Sequence, residues 1–228
     1  MTTTVIPTPQ PATVPTQDGQ VFPVRRIFCV GRNYADHARE MGSDPDREAP
    51  FFFTKPADAV VVSGQPIPYP PRTKDLHHEV ELVVAIGTGG ADIPPARALE
   101  HVWGYAVGID LTRRDLQAAA KAQRRPWDMA KGFDASAVVG DVASAAVIGH
   151  PAAGSIDLSV NGYIRQSSDL AEMIWSVPDL VAELSGFVTL HPGDLIFTGT
   201  PAGVGPLEVG DRVRAAIAGV GTFESIIA

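Results

Sequence analysis

The sequence is poor in the features that mark several protein classes. It has one cysteine, Cys29, in 228 residues, so neither a disulfide within the chain nor a zinc site built of several thiolates can form. No apolar run approaches the ~18 residues of a membrane helix, and the N-terminus lacks a basic and then apolar signal pattern. These absences predict a soluble protein of the cytoplasm.

Positive charge is also scarce. The chain has 18 Lys and Arg against 26 Asp and Glu, which gives a formal net charge of −8. This balance argues against nucleic acid or an anionic membrane as a partner, although a few local cations or a metal can still hold a small anionic substrate. The glycine-rich stretches 87–91 and 199–206 lack the remaining residues of a nucleotide-binding loop, so we interpret both as turns.

The distribution of strand-like runs indicates the fold class. Residues 1–20 are rich in Thr and Pro and predict a flexible leader, which is followed by a single domain over residues 21–228. Within that domain short apolar runs alternate with Gly and Pro turns, helical segments are few, and no regular alternation of strand and helix appears. The pattern predicts an α+β fold with a mixed sheet and short helices.

Two local patterns make sharper predictions. The pair Asn161 and Gly162 is typical of the tight turn of a β-hairpin. Residues 169–188 have a helical composition, and we predict a helix that is broken at Pro178 and ended by Gly186.

Two carboxylates stand at the start of an otherwise apolar strand, residues 77–86. Glu79 and Glu81 are two positions apart, so an extended chain points both to the same face, where like charges are costly to bury. A second apolar strand ends in Asp110, and three carboxylates can therefore converge at the strand ends. Hard oxygen ligands favour Mg²⁺, Mn²⁺ or Ca²⁺ over zinc. An exposed face of an edge strand is the alternative interpretation.

Other polar residues have the spacing of a site. His37 and Glu40 are three apart and share a face if the segment is helical, which suits a general base oriented by a carboxylate but equally a surface pair. Arg114 and Gln117 follow Asp110 by four and seven residues, so a helix there places both on the side that begins at the carboxylates.

Ordered segments spanning roughly residues 25–215 resemble the fumarylacetoacetate hydrolase family. They are CVGRNYADHARE, FFFTKPADAVV, HHEVELVVAIG, GYAVGIDLTRRDLQ, MAKGFDASAVVG, NGYIRQ with MIWSVPDLV, and LHPGDLIFTGTPAGVGP. Within that family, FPVRRIFCVGRNYADHAREMG, PFFFTKPADAV and RRDLQ are similar to the bacterial fumarylpyruvate hydrolases of the gentisate pathway.

The resemblance implies a mixed β-sandwich roll of the family's C-terminal type, with short peripheral helices, assembled as a homodimer. It implies Mg²⁺ or Mn²⁺ as cofactor and hydrolysis of a C–C bond in a small anionic 2,4-diketo acid, with fumarylpyruvate giving fumarate and pyruvate. The residue roles that it implies are metal ligation by Glu79, Glu81 and Asp110, a catalytic dyad of His37 and Glu40, stabilisation of negative charge by Lys131, and substrate binding by Arg32, Arg114, Gln117 and Thr200.

Several alternatives stay open at this stage. The same residues suit an acylpyruvase or oxaloacetate decarboxylase, an isomerase or decarboxylase of hydroxy-dienedioates, or a binding protein that uses the fold without catalysis. A fumaryl group also carries a distal carboxylate that needs a cation of its own, and the sequence offers Lys55, Arg72, Lys74 and Arg125 without ranking them.

Overall fold

The computed structural model describes residues 4–40 and 49–228, and of Ala38 and Glu40 it describes the backbone. Its strands are β1 (Ala12–Pro15), β2 (Val21–Val24), β3 (Arg26–Gly31), β4 (Phe51–Lys55), β5 (Val60–Val62), β6 (Leu76–His78), β7 (Val80–Ile86), β8 (Val102–Asp110), β9 (Thr112–Arg113), β10 (Ala137–Val139), β11 (Ala143–Ser144), β12 (Ser155–Val160), β13 (Tyr163–Asp169), β14 (Asp194–Phe197), β15 (Gly205–Leu207), β16 (Arg212–Ile217) and β17 (Gly221–Ile226). The α-helices are α1 (Ala35–Glu40), α2 (Arg114–Ala122), α3 (Asp128–Lys131), α4 (Ala145–Ile148) and α5 (Val177–Phe187), and short 3₁₀ helices span Ala57–Ala59, Pro95–His101 and Leu170–Glu172.

A curled, mixed sheet of eight strands forms the centre of the molecule. Its order is β4-β3-β14-β7-β8-β10-β5, and β11 pairs with β8 beside this path. The pairs β14 with β3 and β10 with β5 are parallel, and the other pairs of the sheet are antiparallel. Smaller sheets are formed by β13-β12-β16-β17, by β15-β6-β9 and by β1-β2. The predicted α+β class with a mixed sheet and short helices is confirmed.

Strand β7 contributes to the core on both of its faces. The larger apolar cluster, which includes residues of β12 and β16, contains Val80, Leu82, Val84 and Ile86 of β7. Val83 and Ala85 belong to the smaller cluster on the opposite face, together with Val14 of β1. Because side chains alternate along a strand, Glu79 and Glu81 share the face of Val83.

Part of the predicted leader is ordered in the structure. Strand β1 pairs antiparallel with β2, and Val14 is completely buried in the smaller apolar cluster. The overall Thr and Pro content hides this single apolar side chain and its extended flanks, which is why composition indicated flexibility. The structure thus differs from the expected leader over residues 12–15, and the division at residue 20 stays a prediction.

Helix α5 begins where the sequence predicted a break. The Ser176 hydroxyl oxygen accepts a hydrogen bond from the N–H of Asp179, and the Asp179 carboxylate accepts one from the N–H of Ser176. Pro178 lies in the first turn, where its missing N–H costs nothing, and the helix continues through Gly186 to Phe187. The predicted break at Pro178 and end at Gly186 are therefore wrong.

The hairpin prediction is confirmed. Strands β12 and β13 are joined by Asn161 and Gly162, whose φ angles of 53° and 82° match the left-handed turn expected of this pair. Among the described residues, no helix has both the length and the apolar character needed to span a membrane.

Candidate active site

Strand register brings the three predicted carboxylates together. Glu81 lies opposite Gly108 in the antiparallel pair of β7 and β8, and the Asp110 N–H donates to the Glu79 carbonyl oxygen at 2.9 Å. Glu79 and Asp110 are therefore cross-strand neighbours, whose side chains project close together from one face. One oxygen from each of Glu79, Glu81 and Asp110 lies within 4.8 Å of the others, and all three side chains are buried.

Two cations neutralise Glu79. The Lys131 ammonium, at the end of α3, donates to Glu79 Oε2 and to Asp110 Oδ2, each at 2.7 Å. The Arg114 guanidinium donates to the other Glu79 oxygen. Although burial opposes the charge, Lys131 and Arg114 hold the pKa of Glu79 well below its usual value. Burial likewise opposes the ammonium charge, yet the Asp110 and Glu79 carboxylates raise the pKa of Lys131.

A third cation, Lys55, comes from the end of β4. Its ammonium lies 2.7 Å from Asp110 Oδ1 and also donates to the carbonyl oxygens of Leu111 and Lys131. The Lys55 side chain has no solvent exposure. The sequence offered Lys55 as a partner for a distal substrate carboxylate. That interpretation is wrong, because the Lys55 ammonium is buried and bound to Asp110 and to two carbonyl oxygens.

Glu81 has no comparable cation. Its Oε2 accepts a hydrogen bond from the Gly199 N–H at 2.7 Å, and among the described residues no ammonium or guanidinium pairs with it. Gly199 has a φ of +94°, and an added Cβ there would lie 2.7 Å from the Asn33 Cβ, so this turn requires glycine. Burial and then the charges of Asp110 and Glu79 raise the pKa of Glu81 well above its usual value.

The donor set fits a divalent cation. Three buried carboxylates offer hard oxygen ligands within the span of one ion, and one of them, Glu81, forms no ion pair with a Lys or Arg of the described residues. A carboxylate oxygen that already accepts one hydrogen bond keeps a further lone pair for a metal. Mg²⁺ or Mn²⁺ suits this set, as oxygen-only ligation is what those ions prefer.

The ends of two parallel strands bring the other polar residues to the same place. Strands β3 and β14 run side by side, so Arg32, just after β3, and Thr200, just after β14, lie at one edge. Asn33 fastens this edge, because its amide NH₂ donates to the carbonyl oxygens of Trp175 and Thr198 at 2.9 and 2.8 Å. Arg32 itself has a φ of 60°, which an arginine adopts only when its surroundings impose it.

His37 projects from α1 into the pocket over the carboxylates. Its side chain is 6% exposed and lines the same cavity as Glu79, Glu81 and Thr200. The backbone of Glu40 completes α1, but its side chain lies outside the described part of the chain, as does the loop that follows. The structure thus places one member of the predicted dyad, and the pairing with Glu40 stays a prediction.

One face of α2 forms a wall of this pocket. Arg114, Gln117 and Lys121 all line the cavity, and Arg114 Nη1 donates to Gln117 Oε1 at 2.7 Å. Aromatic side chains also line the pocket and include Trp127, whose ring meets that of Phe51 edge-on at a centroid distance of 5.4 Å. The sequence predicted positions 114 and 117 on this side, and Lys121 is the further residue that the same helical period places there.

Gln166 is a site residue that the sequence did not reveal. It is 1% exposed, its Oε1 accepts from the Val80 N–H at 3.0 Å, and its NH₂ donates to Thr200 Oγ1 and the Pro201 carbonyl oxygen, both at 2.8 Å. Since Thr200 accepts from Gln166, its own hydroxyl proton is directed elsewhere, and Thr200 borders the pocket. On β13 the apolar Ile164 is exposed while Gln166 is buried, so hydropathy gave no signal.

Comparison with known proteins gives this site a family. The fumarylacetoacetate (FAA) hydrolase C-terminal family matches residues 26–228. A crystal structure of fumarylpyruvate hydrolase from Pseudomonas aeruginosa, in complex with Mn²⁺ and pyruvate, is 51% identical with a TM-score of 0.97 and covers 99% of both chains.

More distant relatives carry other activities. The mitochondrial oxaloacetate tautomerase FAHD1 of Homo sapiens is 43% identical over 196 residues, which are 86% of this chain and 88% of that protein. A crystal structure of 5-carboxymethyl-2-hydroxymuconate delta-isomerase from Mycobacterium smegmatis is 35% identical with a TM-score of 0.80, and covers 92% of this chain and 85% of its own. On the family match and these identities, the chain belongs to the fumarylacetoacetate hydrolase family.

Proposed function

We propose that this protein hydrolyses the C–C bond of a 2,4-diketo acid, with fumarylpyruvate as substrate and fumarate and pyruvate as products. The observation that carries the proposal is the 51% identity, over 99% of both chains, to a fumarylpyruvate hydrolase that binds Mn²⁺ and pyruvate. The buried carboxylates and the cation-lined pocket described above have the chemistry that such a substrate needs. The homodimer implied by the family resemblance stays a prediction.

In this proposal Glu79, Glu81 and Asp110 hold Mg²⁺ or Mn²⁺ at the base of the pocket. The bound ion supplies positive charge that stabilises the negative charge developing on oxygen as pyruvate departs. The Lys131 ammonium donates to both Glu79 and Asp110 and adds a second positive charge at the same place.

The pyruvyl end of the substrate is held by side chains that surround the carboxylates. Arg114 and Gln117 are joined by a hydrogen bond, and together they present a fixed guanidinium and amide to a carboxylate. The Thr200 hydroxyl, whose oxygen is already occupied as an acceptor, donates to a substrate oxygen. Arg32 contributes positive charge at the same edge of the pocket.

His37 is the group that moves the proton. As a buried imidazole at the pocket wall, it removes a proton from water, whose oxygen attacks the C4 carbonyl of the diketo acid. The C3–C4 bond then breaks, its electron pair passes to the pyruvate enolate, and protonation at C3 completes pyruvate while the acyl group leaves as fumarate. Glu40 orients His37 in this scheme, as the spacing on α1 suggests.

Oxaloacetate chemistry is the second candidate. Its support is the 43% identity to oxaloacetate tautomerase FAHD1. Conversion of the enol into the keto form of oxaloacetate, or loss of its carboxyl group, requires a bound 2-keto acid and proton movement but no attacking water. The same carboxylates and Arg114 therefore suit it, whereas the His37 step above is specific to hydrolysis.

A comparison of substrates tests the proposal. Fumarylpyruvate, acetylpyruvate and oxaloacetate are offered to the Mn²⁺-loaded and Mg²⁺-loaded protein, and cleavage, tautomerisation and CO₂ release are measured separately. We expect kcat/KM for fumarylpyruvate cleavage to exceed that for acetylpyruvate cleavage by at least about tenfold, because the distal carboxylate adds a charged contact. It should also exceed the values for oxaloacetate tautomerisation and CO₂ release. Turnover of oxaloacetate without cleavage of either diketo acid would replace the proposal by the second candidate.

A further inference from the structure

We propose that Lys121 binds the distal carboxylate of the substrate, so that it sets the preference for dicarboxylic over monocarboxylic diketo acids. The inference rests on the proposed function and adds to it the residue that selects the acyl group.

Lys121 lies on the pocket-facing side of α2. It follows Arg114 by seven residues and Gln117 by four, so the helical period places all three on one face, and all three line the pocket. Seven residues of helix rise by roughly 10 Å. The Cα atoms of Arg114 and Lys121 are thus about two turns apart, so an extended dicarboxylate with one end beside Arg114 can direct its other end toward Lys121.

The Lys121 ammonium lies against an aromatic ring. It lies 5.1 Å from the centroid of the Trp127 ring, and Trp127 is in turn fixed by edge contacts with Phe51 and Phe53. Among the side chains that the structure describes, no carboxylate forms an ion pair with Lys121. A cation that lies against an aromatic wall of a pocket, with none of these carboxylates paired to it, is available to an anionic ligand.

The electrostatic surroundings point the same way. Burial and then the positive charges of Arg32 and Arg114 lower the pKa of Lys121 to about 8. A second substrate carboxylate beside Lys121 would stabilise the ammonium charge that burial and these two cations disfavour.

The other cations offered by the sequence fit less well. Lys55 is buried against Asp110. Arg125 is exposed and lines a neighbouring cavity that shares Trp127 and Lys131 with the pocket but includes neither Glu79 nor Glu81. Arg72 and Lys74 are exposed and do not line the pocket.

Substrate pairs and matched variants test the inference. Steady-state kinetics of the Mn²⁺-loaded protein are measured with fumarylpyruvate and with acetylpyruvate, which lacks the distal carboxylate, for the unaltered chain and for Lys121→Met, Lys121→Arg and Arg125→Met. We expect Lys121→Met to raise KM for fumarylpyruvate about ten- to a hundredfold more than KM for acetylpyruvate, as expected for loss of one charge-assisted hydrogen bond. Lys121→Arg should restore most of the preference, and Arg125→Met should leave it unchanged.

The outcomes distinguish a failure of the Lys121 assignment from a failure of the proposed function. If the unaltered protein cleaves fumarylpyruvate and Lys121→Met changes KM equally for both substrates, the Lys121 assignment is wrong and the proposed function stands. A selective KM rise in Arg125→Met alone transfers the role to Arg125. If the unaltered protein cleaves neither diketo acid, both proposals fall. Thermal melting and Mn²⁺ titration of each variant show that it is folded, so a selective loss is read as a binding effect.

Discussion

The two ends of the pocket hold their charges in different ways. The inner end lies mainly on paired strands and consists of Glu79, Glu81, Asp110 and Lys131. Its ion pairs are buried, and the Lys131 ammonium lies 2.7 Å from a carboxylate oxygen of Glu79 and of Asp110. The outer end, formed by Lys121 and Trp127, is carried by a helix and a loop, and its cation is half-buried against a ring. Strand register fixes positions closely, whereas a long side chain on a helix can adapt to its ligand.

This difference assigns turnover to the inner end and substrate preference to the outer end. Charges at the inner end depend on one another, because a buried charge that loses its partner is strongly destabilising. A cation at the outer end keeps access to water, so its removal changes what binds without unfolding the protein. Activity on any diketo acid should therefore require the inner end, while the choice among diketo acids should depend on the outer end.

The largest effect is expected from Glu79→Gln at the inner end. The amide keeps the shape but leaves the buried Lys131 and Arg114 short of a counter-charge, which should cost about 3–5 kcal/mol in the free energy of unfolding. Turnover and calorimetric Mn²⁺ binding should both be lost. Chemical denaturation of the metal-free protein measures the first effect. Full activity in this variant or in metal-stripped protein would contradict the role given to the carboxylates.

Glu81→Gln is the matched control for this prediction. In the described part of the chain no Lys or Arg forms an ion pair with Glu81, and a glutamine oxygen still accepts from the Gly199 N–H. We expect Mn²⁺ binding to be lost as in Glu79→Gln, but with a change in unfolding free energy of at most about 1 kcal/mol. Equal destabilisation by the two changes would show that the inner end does not distinguish its two glutamates.

His37→Ala tests the step that hydrolysis adds to binding. Removing the general base should lower kcat for fumarylpyruvate cleavage by about a hundredfold to ten-thousandfold. Mn²⁺ affinity should change little, because His37 is not one of the three residues whose oxygen atoms converge. The neighbouring exposed Asp36, changed to Ala, is the control and should keep normal kcat. Normal turnover in His37→Ala would remove this residue from the mechanism.

Gln166→Met should have a smaller and more specific effect. The Gln166 amide connects the Val80 N–H, between the two glutamates, to the Thr200 hydroxyl. Without it the Thr200 hydroxyl is no longer held in one orientation, and KM for fumarylpyruvate should rise by about tenfold. Thr200→Val should have a similar kinetic effect, and the two changes should not add. Ser167→Ala, at the exposed neighbouring position, is the control. Additive effects of Gln166→Met and Thr200→Val would break the proposed connection.

The sequence predicts the carboxylates of the inner end better than the residues that bond to them or to their strand. Period-2 alternation placed Glu79 and Glu81 on one face, and an apolar run ending in Asp110 suggested the third ligand. Lys55 could not be recognised as part of the interior, because its role depends on β4 reaching Asp110 through the sheet order. Gln166 was hidden for a related reason, since a register shift in the pairing of β12 and β13 separates burial from hydropathy there.

The fold shows the same division between local and long-range information. The Asn161–Gly162 turn was predictable because two adjacent residues determine it. The start of α5 was equally local, and the pattern of Ser176 followed by Asp179 three residues later indicates it once Pro178 is read as a first-turn residue. Strand β1 was not predictable from composition, because its order comes from pairing with β2 and from the burial of Val14.

The smallest predicted effect is a pH dependence confined to the outer end. The lowered pKa of Lys121, about 8, means that its ammonium is present below that pH and lost as the pH rises through it, whereas an ordinary lysine stays charged to above pH 10. The charged groups that act on it are Arg32, Arg114, Lys131 and Glu79. The ratio of kcat/KM for fumarylpyruvate to that for acetylpyruvate should therefore fall severalfold between about pH 7 and pH 9. Other groups of the protein whose titration affects both substrates equally do not change this ratio. Lys121→Arg should keep the ratio constant, because its guanidinium stays charged over this range. A ratio that is flat to pH 10 in the unaltered protein would show that this lysine has the pKa of a solvated one, and the outer end would then lose its electrostatic distinction.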